Sequence, residues 1–136
     1  MHKPTKHWLV AKKNLLTTAG VSYIILLAYG SLFNTKDLVE INFKFHDKLI
    51  HFAAYALLCL VAYVIFKIYA VKSSLRTAVL FSIIFGTVIE ILQMTLTSYR
   101  EFDFYDIAAN TAGIFIMACA IHIKKAFIIN KLESFM

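Results

Sequence analysis

The sequence predicts an all-α protein, an integral membrane bundle of four transmembrane helices with both termini in the cytoplasm. Composition is the first reason, since the chain is 60% hydrophobic and only 16% charged, whereas a soluble domain is nearer 45–50% apolar and about 25% charged. The second reason is a set of four apolar runs, each near the roughly 20 residues that a membrane-spanning helix needs. The third is the one-sided placement of the basic residues.

The first predicted span covers residues 15–33, which carry no charge and follow a basic segment at residues 1–14. A cleaved signal peptide is the alternative, but its apolar region is about 7–15 residues long. This run is longer and further spans follow it, which favours a retained helix. The second span, residues 49–70, is apolar on all sides, as expected where lipid and other helices surround a helix.

The third and fourth predicted spans cover residues 75–97 and 104–123, joined by a polar turn. Cys59 and Cys119 lie in apolar runs with no CxxC or other metal-ligand spacing, so they are interpreted as packing residues and no metal site is predicted. The predicted organisation is a basic N-terminus, a four-helix membrane domain and a basic tail, at residues 1–14, 15–123 and 124–136.

The basic residues divide unequally between the two sides of the membrane. Ten of the fourteen fall on the side of the termini: Lys3, Lys6, Lys12, Lys13, Lys67, Lys72, Arg76, Lys124, Lys125 and Lys131. The positive-inside rule places that side in the cytoplasm. Most acids fall on the opposite side: Asp37, Glu40, Asp47, Glu101, Asp103 and Asp106. Topology therefore explains the net charge of +6, and no nucleic-acid partner is expected.

Polar residues recur at helical spacing in the outward halves of three spans. They are Asp47, His51 and Tyr55 in the second, Glu90 and Gln93 in the third, and Asp106 and Asn110 in the fourth. Residues three or four apart share one helix face. An ionisable group in a membrane costs roughly 2.5–3.5 kcal/mol at the helix centre and indicates a functional site. Glu90 lies about 15 Å from Arg100 by helical rise, so these groups are predicted to face one another in one layer.

Each of these groups also has a structural explanation. Asp103 and Asp106 suit helix caps, His51 suits a simple hydrogen-bonding role, Tyr55 an interfacial aromatic, and Gln93 and Asn110 interhelical hydrogen bonds. Arg100 suits a snorkelling anchor. Glu90 needs a partner at its depth, and His51 or Arg100 is expected to supply it. Gly86 and Gly113 are predicted to let the third and fourth helices approach closely.

Three motifs together resemble the VanZ-like family of small bacterial membrane proteins, named for an accessory factor in teicoplanin resistance. They are DKLIHFAAYALL, GTVIEILQ, and an arginine followed by D-x-x-D-x-x-A-N-T-A-G, all within residues 47–113. The family positions correspond to Asp47, Lys48, His51, Phe52, Tyr55, Gly86, Glu90, Gln93, Arg100, Asp103, Asp106, Asn110 and Gly113. The resemblance implies a multi-pass protein of the bacterial cytoplasmic membrane with a role at the cell envelope, and it brings no established reaction.

Three functions are compatible with this pattern. In an envelope enzyme, His51, Glu90 and Asp106 would be the catalytic acid/base groups. The predicted substrate-binding residues are Asp47, Lys48, Tyr55, Gln93, Arg100, Asp103 and Asn110. In a non-catalytic binder, the same pocket would hold a lipid-linked precursor or a lipoglycopeptide. In a structural or transport protein, the cluster would lock helices or relay protons. Membrane lipids are the expected surroundings, and the sequence indicates neither a cofactor nor an oligomeric state.

Overall fold

The computed structural model describes residues 6–32, 44–96 and 103–135, and the regular secondary structure over those ranges is all α-helix. The helices are α1 Lys6–Leu32, α2 Lys44–Ile68, α3 Ser74–Leu96 and α4 Phe104–Phe135. All four are long and apolar enough to cross a membrane, which confirms the predicted all-α class and the four candidate spans. The cytoplasmic location of both termini stays a prediction. The single proline, Pro4, precedes α1, so each helix can satisfy its own backbone groups without interruption, as a lipid environment requires.

The helices alternate in direction, and α2 contacts each of the other three. Two buried clusters form the core: Tyr55, Leu58, Cys59 and Ile114, and then Ala62, Tyr63, Ala78 and Ile121. Cys59 is thus the packing residue that was predicted, but the prediction was wrong for Cys119, which is exposed. We call the end where α2 and α4 begin and α3 ends the acidic end. The opposite end, where α1 and α3 begin and α2 and α4 end, is the basic end. The core separates these two charged ends.

The glycines of α3 and α4 both pack against α2. A methyl group added at Gly113 would lie 2.1 Å from the carbonyl oxygen of Phe52, and one added at Gly86 would lie 2.8 Å from the Tyr55 ring. The prediction that these glycines join α3 to α4 was therefore wrong about the partner. Sequence identifies a small residue, but not which neighbouring helix the small residue faces. The close backbone contact is between α2 and α4.

The connection from α2 to α3 is a tight turn with two left-handed residues, Ala70 and Ser73. The Val71 amide donates to the Phe66 carbonyl at 2.8 Å and the Ala70 amide to the Lys67 carbonyl at 3.1 Å. This pair of bonds is the Schellman arrangement that ends many helices, and it needs a positive φ at the penultimate position. Ala70 supplies it with a φ of 53°, although glycine is the residue that adopts this conformation without steric cost.

Helices α1 and α4 extend beyond the spans predicted for them. The fourth span was predicted to end at residue 123, but α4 continues to Phe135. Its 32 residues correspond to about 48 Å, against a hydrocarbon core of about 30 Å. The two long helices meet at the basic end, where Lys12 Nζ donates to the Phe135 carbonyl at 2.5 Å and lies 4.2 Å from the centre of its ring.

Candidate functional site

Side chains from three helices converge at the acidic end. We call this group the polar cluster, and its members are Asp47, Lys48, His51, Glu90, Asp103, Asp106 and Asn110. All seven were predicted as site residues, Lys48 and Asp103 from the family resemblance and the other five from their spacing as well. The structure brings them together. Their individual roles in binding or catalysis stay predictions.

A lysine joins the first turns of α2 and α4. Lys48 Nζ donates to Asp103 Oδ2 at 2.5 Å and also to Asp106 Oδ1. Asp47 Oδ2 lies 3.9 Å from the same ammonium. Asp106 is buried, and an unpaired carboxylate there would carry a large desolvation penalty. Lys48 therefore neutralises the most buried of its three acidic neighbours. An anionic substrate that binds Lys48, as predicted, would have to compete with these carboxylates.

A hydrogen-bonded chain crosses the bundle one turn deeper. His51 Nδ1 lies 3.1 Å from Asn110 Oδ1, and Asn110 Nδ2 donates to Glu90 Oε1 at 3.3 Å. An amide oxygen can only accept, so the proton must be on His51 Nδ1. In the neutral ring, Nε2 then carries the lone pair. Glu90 thus orients Asn110, and Asn110 selects the tautomer of His51.

The lone-pair nitrogen of His51 faces two carboxylates. Its Nε2 lies 3.9 Å from Asp47 Oδ1 and 4.0 Å from Asp106 Oδ2. One atom from each of the three residues lies within 4.8 Å of the other two. Nitrogen and carboxylate oxygens are a donor set that a divalent metal ion accepts. The lone pair on Nε2 can also accept a proton, so His51 can act as a base.

Asp103 is the cap of α4. Its Oδ1 accepts from the Tyr105 amide at 2.8 Å, and its carbonyl accepts from the amides of Asp106 and Ile107 at 3.1 and 3.4 Å. The capping explanation that the sequence left open is thus confirmed for this residue. The Lys48 ammonium, followed by the Tyr105 amide, lowers the pKa of the Asp103 carboxyl below its ordinary value. Asp103 is consequently both a cap and a fixed negative charge.

The remaining predicted site residues are arranged differently. Tyr55 is almost fully buried against Gly86, and its hydroxyl has no hydrogen-bond partner within the described residues. Gln93 Nε2 donates to the Ser31 carbonyl at 2.6 Å, which ties α3 to the end of α1 and confirms the interhelical bond considered for it. Arg100 lies outside the described residues.

Helix α1 supports the site from its outer side, which sequence reasoning missed. Tyr23 donates its hydroxyl proton to the Ala54 carbonyl at 2.7 Å, and Ser31 accepts from α3. No charged residue in span one marked a contact with the site. Tyr23, a tyrosine within the apolar run of span one, could have indicated this contact, because a buried phenol hydroxyl usually forms a hydrogen bond.

A family model described as VanZ/LLP1 matches residues 6–125 of this chain. The match extends over all four helices and includes the three motifs that build the polar cluster. The chain belongs to the VanZ-like family. No curated protein and no solved structure matches it significantly. Membership confirms the resemblance on which the sequence interpretation drew.

The polar cluster of this VanZ-like protein has an accessible layer and a buried layer. The side chains of Asp47, Asp103 and Lys48 are 48%, 37% and 29% exposed, while those of His51 and Glu90 are 9% and 4% exposed. A ligand that approaches from the acidic end therefore meets two carboxylates and an ammonium first. His51 and Glu90 form the buried layer beneath these three side chains.

Proposed function

We propose that this VanZ-like protein binds the polar head of an envelope amphiphile at its acidic end, either a lipid-linked precursor or an amphiphilic glycopeptide antibiotic. The observation that carries the proposal is the layered polar cluster between α2, α3 and α4. Asp47, Lys48 and Asp103 offer charges of both signs to the surface, and a ligand rich in amide, hydroxyl and charged groups would match such a mixed surface.

The buried layer supports this function by holding the accessible layer in place. His51 and Asn110 link α2 to α4, and Glu90 links both to α3. A site fixed by packed helices and hydrogen bonds is more precise than one on loops. If the protein also transforms its ligand, His51 is the acid/base group, because Nδ1 is fixed as a donor and Nε2 faces the accessible carboxylate of Asp47.

The proposed location is the bacterial cytoplasmic membrane, with both termini in the cytoplasm and the acidic end facing outward. The excess of lysine and arginine at the basic end supports this orientation. The acidic end then meets precursors and antibiotics at the outer surface. An amphiphile would keep its lipid tail beside the apolar helix faces while its head contacts the polar cluster.

Teicoplanin sensitivity tests the proposal. A susceptible Gram-positive host expresses the wild type, Glu90→Gln or His51→Ala at matched membrane levels, and growth inhibition by teicoplanin is measured. Thr87→Ala is the control, because Thr87 is an exposed residue of α3 that bonds to its own helix and lies outside the polar cluster. We expect protection by the wild type and by the control, and its loss in both cluster variants.

Two other results would point elsewhere. Protection retained by both cluster variants would make the buried layer a structural lock between helices and would exclude the catalytic role of His51. No protection by the wild type would exclude the antibiotic as the ligand. Binding of a purified lipid-linked cell-wall precursor to the wild type and to the same variants in nanodiscs then decides whether the acidic end binds an amphiphile at all.

A further inference from the structure

The basic end contains a cavity that the proposed function does not use. Its volume is about 590 Å³, which lies within the roughly 300–1,000 Å³ typical of small-molecule sites. Residues of α2, α3, α4 and the α2–α3 turn line it. The walls include Leu75, Val79, Leu80 and Ala118, so one part of the cavity surface is apolar.

The polar part of the cavity is positively charged. Lys67, Arg76 and Lys125 line it together with His122. No acidic residue is among its lining residues, and none of these four side chains forms an ion pair with any residue that the structure describes. Like charges gathered without a counterion repel one another. An anion bound in the cavity would offset the repulsion between these basic side chains.

A buried hydroxyl in the same wall lacks a partner. Tyr63 lines the cavity and is 2% exposed. Its hydroxyl makes no hydrogen bond to a described residue, although buried polar atoms are nearly always paired in folded proteins. A phosphate oxygen is a strong acceptor that would satisfy it once the Tyr63 ring turns toward the cavity, because the hydroxyl is itself buried. This hydroxyl is an observation independent of the basic residues, which alone would be explained by their position at a membrane surface.

The position of the cavity favours a lipid over a soluble anion. Ser74 and Leu75 of its lining are the first residues of α3, and the 23 residues of that helix span about 34 Å. Along α2, Lys67 of the cavity lies 19 residues from Lys48 of the polar cluster, or about 28 Å. The cavity is therefore about one hydrocarbon thickness from the outer part of the cluster, at the level of the lipid headgroups. The positive end of the α3 dipole adds to the attraction for a phosphate group.

We propose that this cavity binds the phosphate-bearing head of an anionic phospholipid, with the apolar wall beside the lipid's acyl chains. Arg76 and Lys125 pair with the phosphate group, and Tyr63 donates to one of its oxygens. The site is separate from the polar cluster and does not depend on what the acidic end binds. It would make the protein a carrier of one defined lipid, held between α2, α3 and α4.

Lipid binding to the purified full-length protein tests this inference. Phosphatidylglycerol and phosphatidylcholine are titrated separately, and bound lipid is counted by native mass spectrometry. We expect phosphatidylglycerol to be preferred, and Arg76→Gln and Lys125→Gln each to weaken its binding about fivefold, as expected for one charge near a lipid surface. Tyr63→Phe keeps the ring but removes the hydroxyl, and should also weaken it.

Lys131→Gln is the matched control, because it removes a charge from the exposed part of α4 at the same end without altering the cavity lining. Its phosphatidylglycerol binding should equal that of the wild type. Equal losses in Lys131→Gln and Lys125→Gln would overturn the proposal in favour of diffuse surface attraction. Inorganic phosphate that displaces the lipid at equal concentration would show that the cavity takes a free anion, and equal binding of both lipids would also refute the proposal.

Discussion

At the scale of single residues, the carboxamide of Asn110 connects three helices. It accepts from His51 of α2 and donates to Glu90 of α3, while its own backbone belongs to α4. A side chain with one donor and one acceptor group is needed here, since His51 donates a hydrogen bond and Glu90 accepts one. Aspartate would offer two acceptors and place a second negative charge beside Glu90. The amide of Asn110 therefore couples the position of Glu90 to the position of the His51 ring.

Gly113 gives a prediction at the same scale. Gly113→Ala should lower the free energy of unfolding by at least about 1–3 kcal/mol, because overpacking of a close contact costs this much and the added methyl group would meet the backbone of Phe52. Thermal unfolding in detergent measures the change. Gly30→Ala is the control, since a methyl group there has no atom within 4 Å. An equal melting temperature for both variants would show that α2 and α4 do not pack so closely.

The sequence predicts these residues better than it predicts their pairing. Spacing alone identifies His51, Glu90 and Asn110 as members of one layer, because a helix face repeats every three or four residues. It does not reveal that Asn110 lies between the other two, since that depends on the rotation of three helices about their axes. The same ambiguity led to the wrong partner for Gly86 and Gly113.

At the scale of helices and turns, the C-terminal end of α2 is not optimal. Ala70→Gly should raise the free energy of unfolding by about 1 kcal/mol, because an L-residue in the left-handed region costs roughly 1–2 kcal/mol and part of the gain is lost to the freedom of glycine in the unfolded chain. The melting temperature of the purified protein reports the change. Ala53→Gly, at an exposed position inside α2, should lower it instead. A decrease in both variants would contradict the assigned turn.

The helix ends are the part of the fold that hydropathy does not determine. Apolar runs locate the membrane crossings because lipid contact requires them, and all four crossings were predicted correctly. The helix of residues 104–135 continues past the last apolar run because residues 114–135 contain neither glycine nor proline to end it. Lys12 and Phe135 then stabilise the extended ends of α1 and α4 through one hydrogen bond and a cation–π contact.

At the scale of the whole molecule, the charge asymmetry predicts the orientation in the membrane. Alkaline phosphatase, which is active only outside the cytoplasm, is fused to each terminus or inserted within residues 33–43, between α1 and α2. We expect activity only from the insertion, because ten basic residues hold the opposite end inside. Green fluorescent protein at the same three positions provides the reciprocal control. Activity at either terminus would contradict the proposed topology and would place the acidic end elsewhere.

The pairing of α2 with α4 has a consequence for biosynthesis. Lys48 and Asp106 are 58 residues apart in the chain, and a ribosome adds roughly 5–20 residues per second. Asp106 is therefore synthesised about 3–12 seconds after Lys48, so the α4 carboxylates that pair with this lysine are absent when α2 is made. During that interval, Asp47 of the same helix, lipid phosphates and interfacial water are the available partners for Lys48. Insertion of this protein is complete only when its last helix arrives.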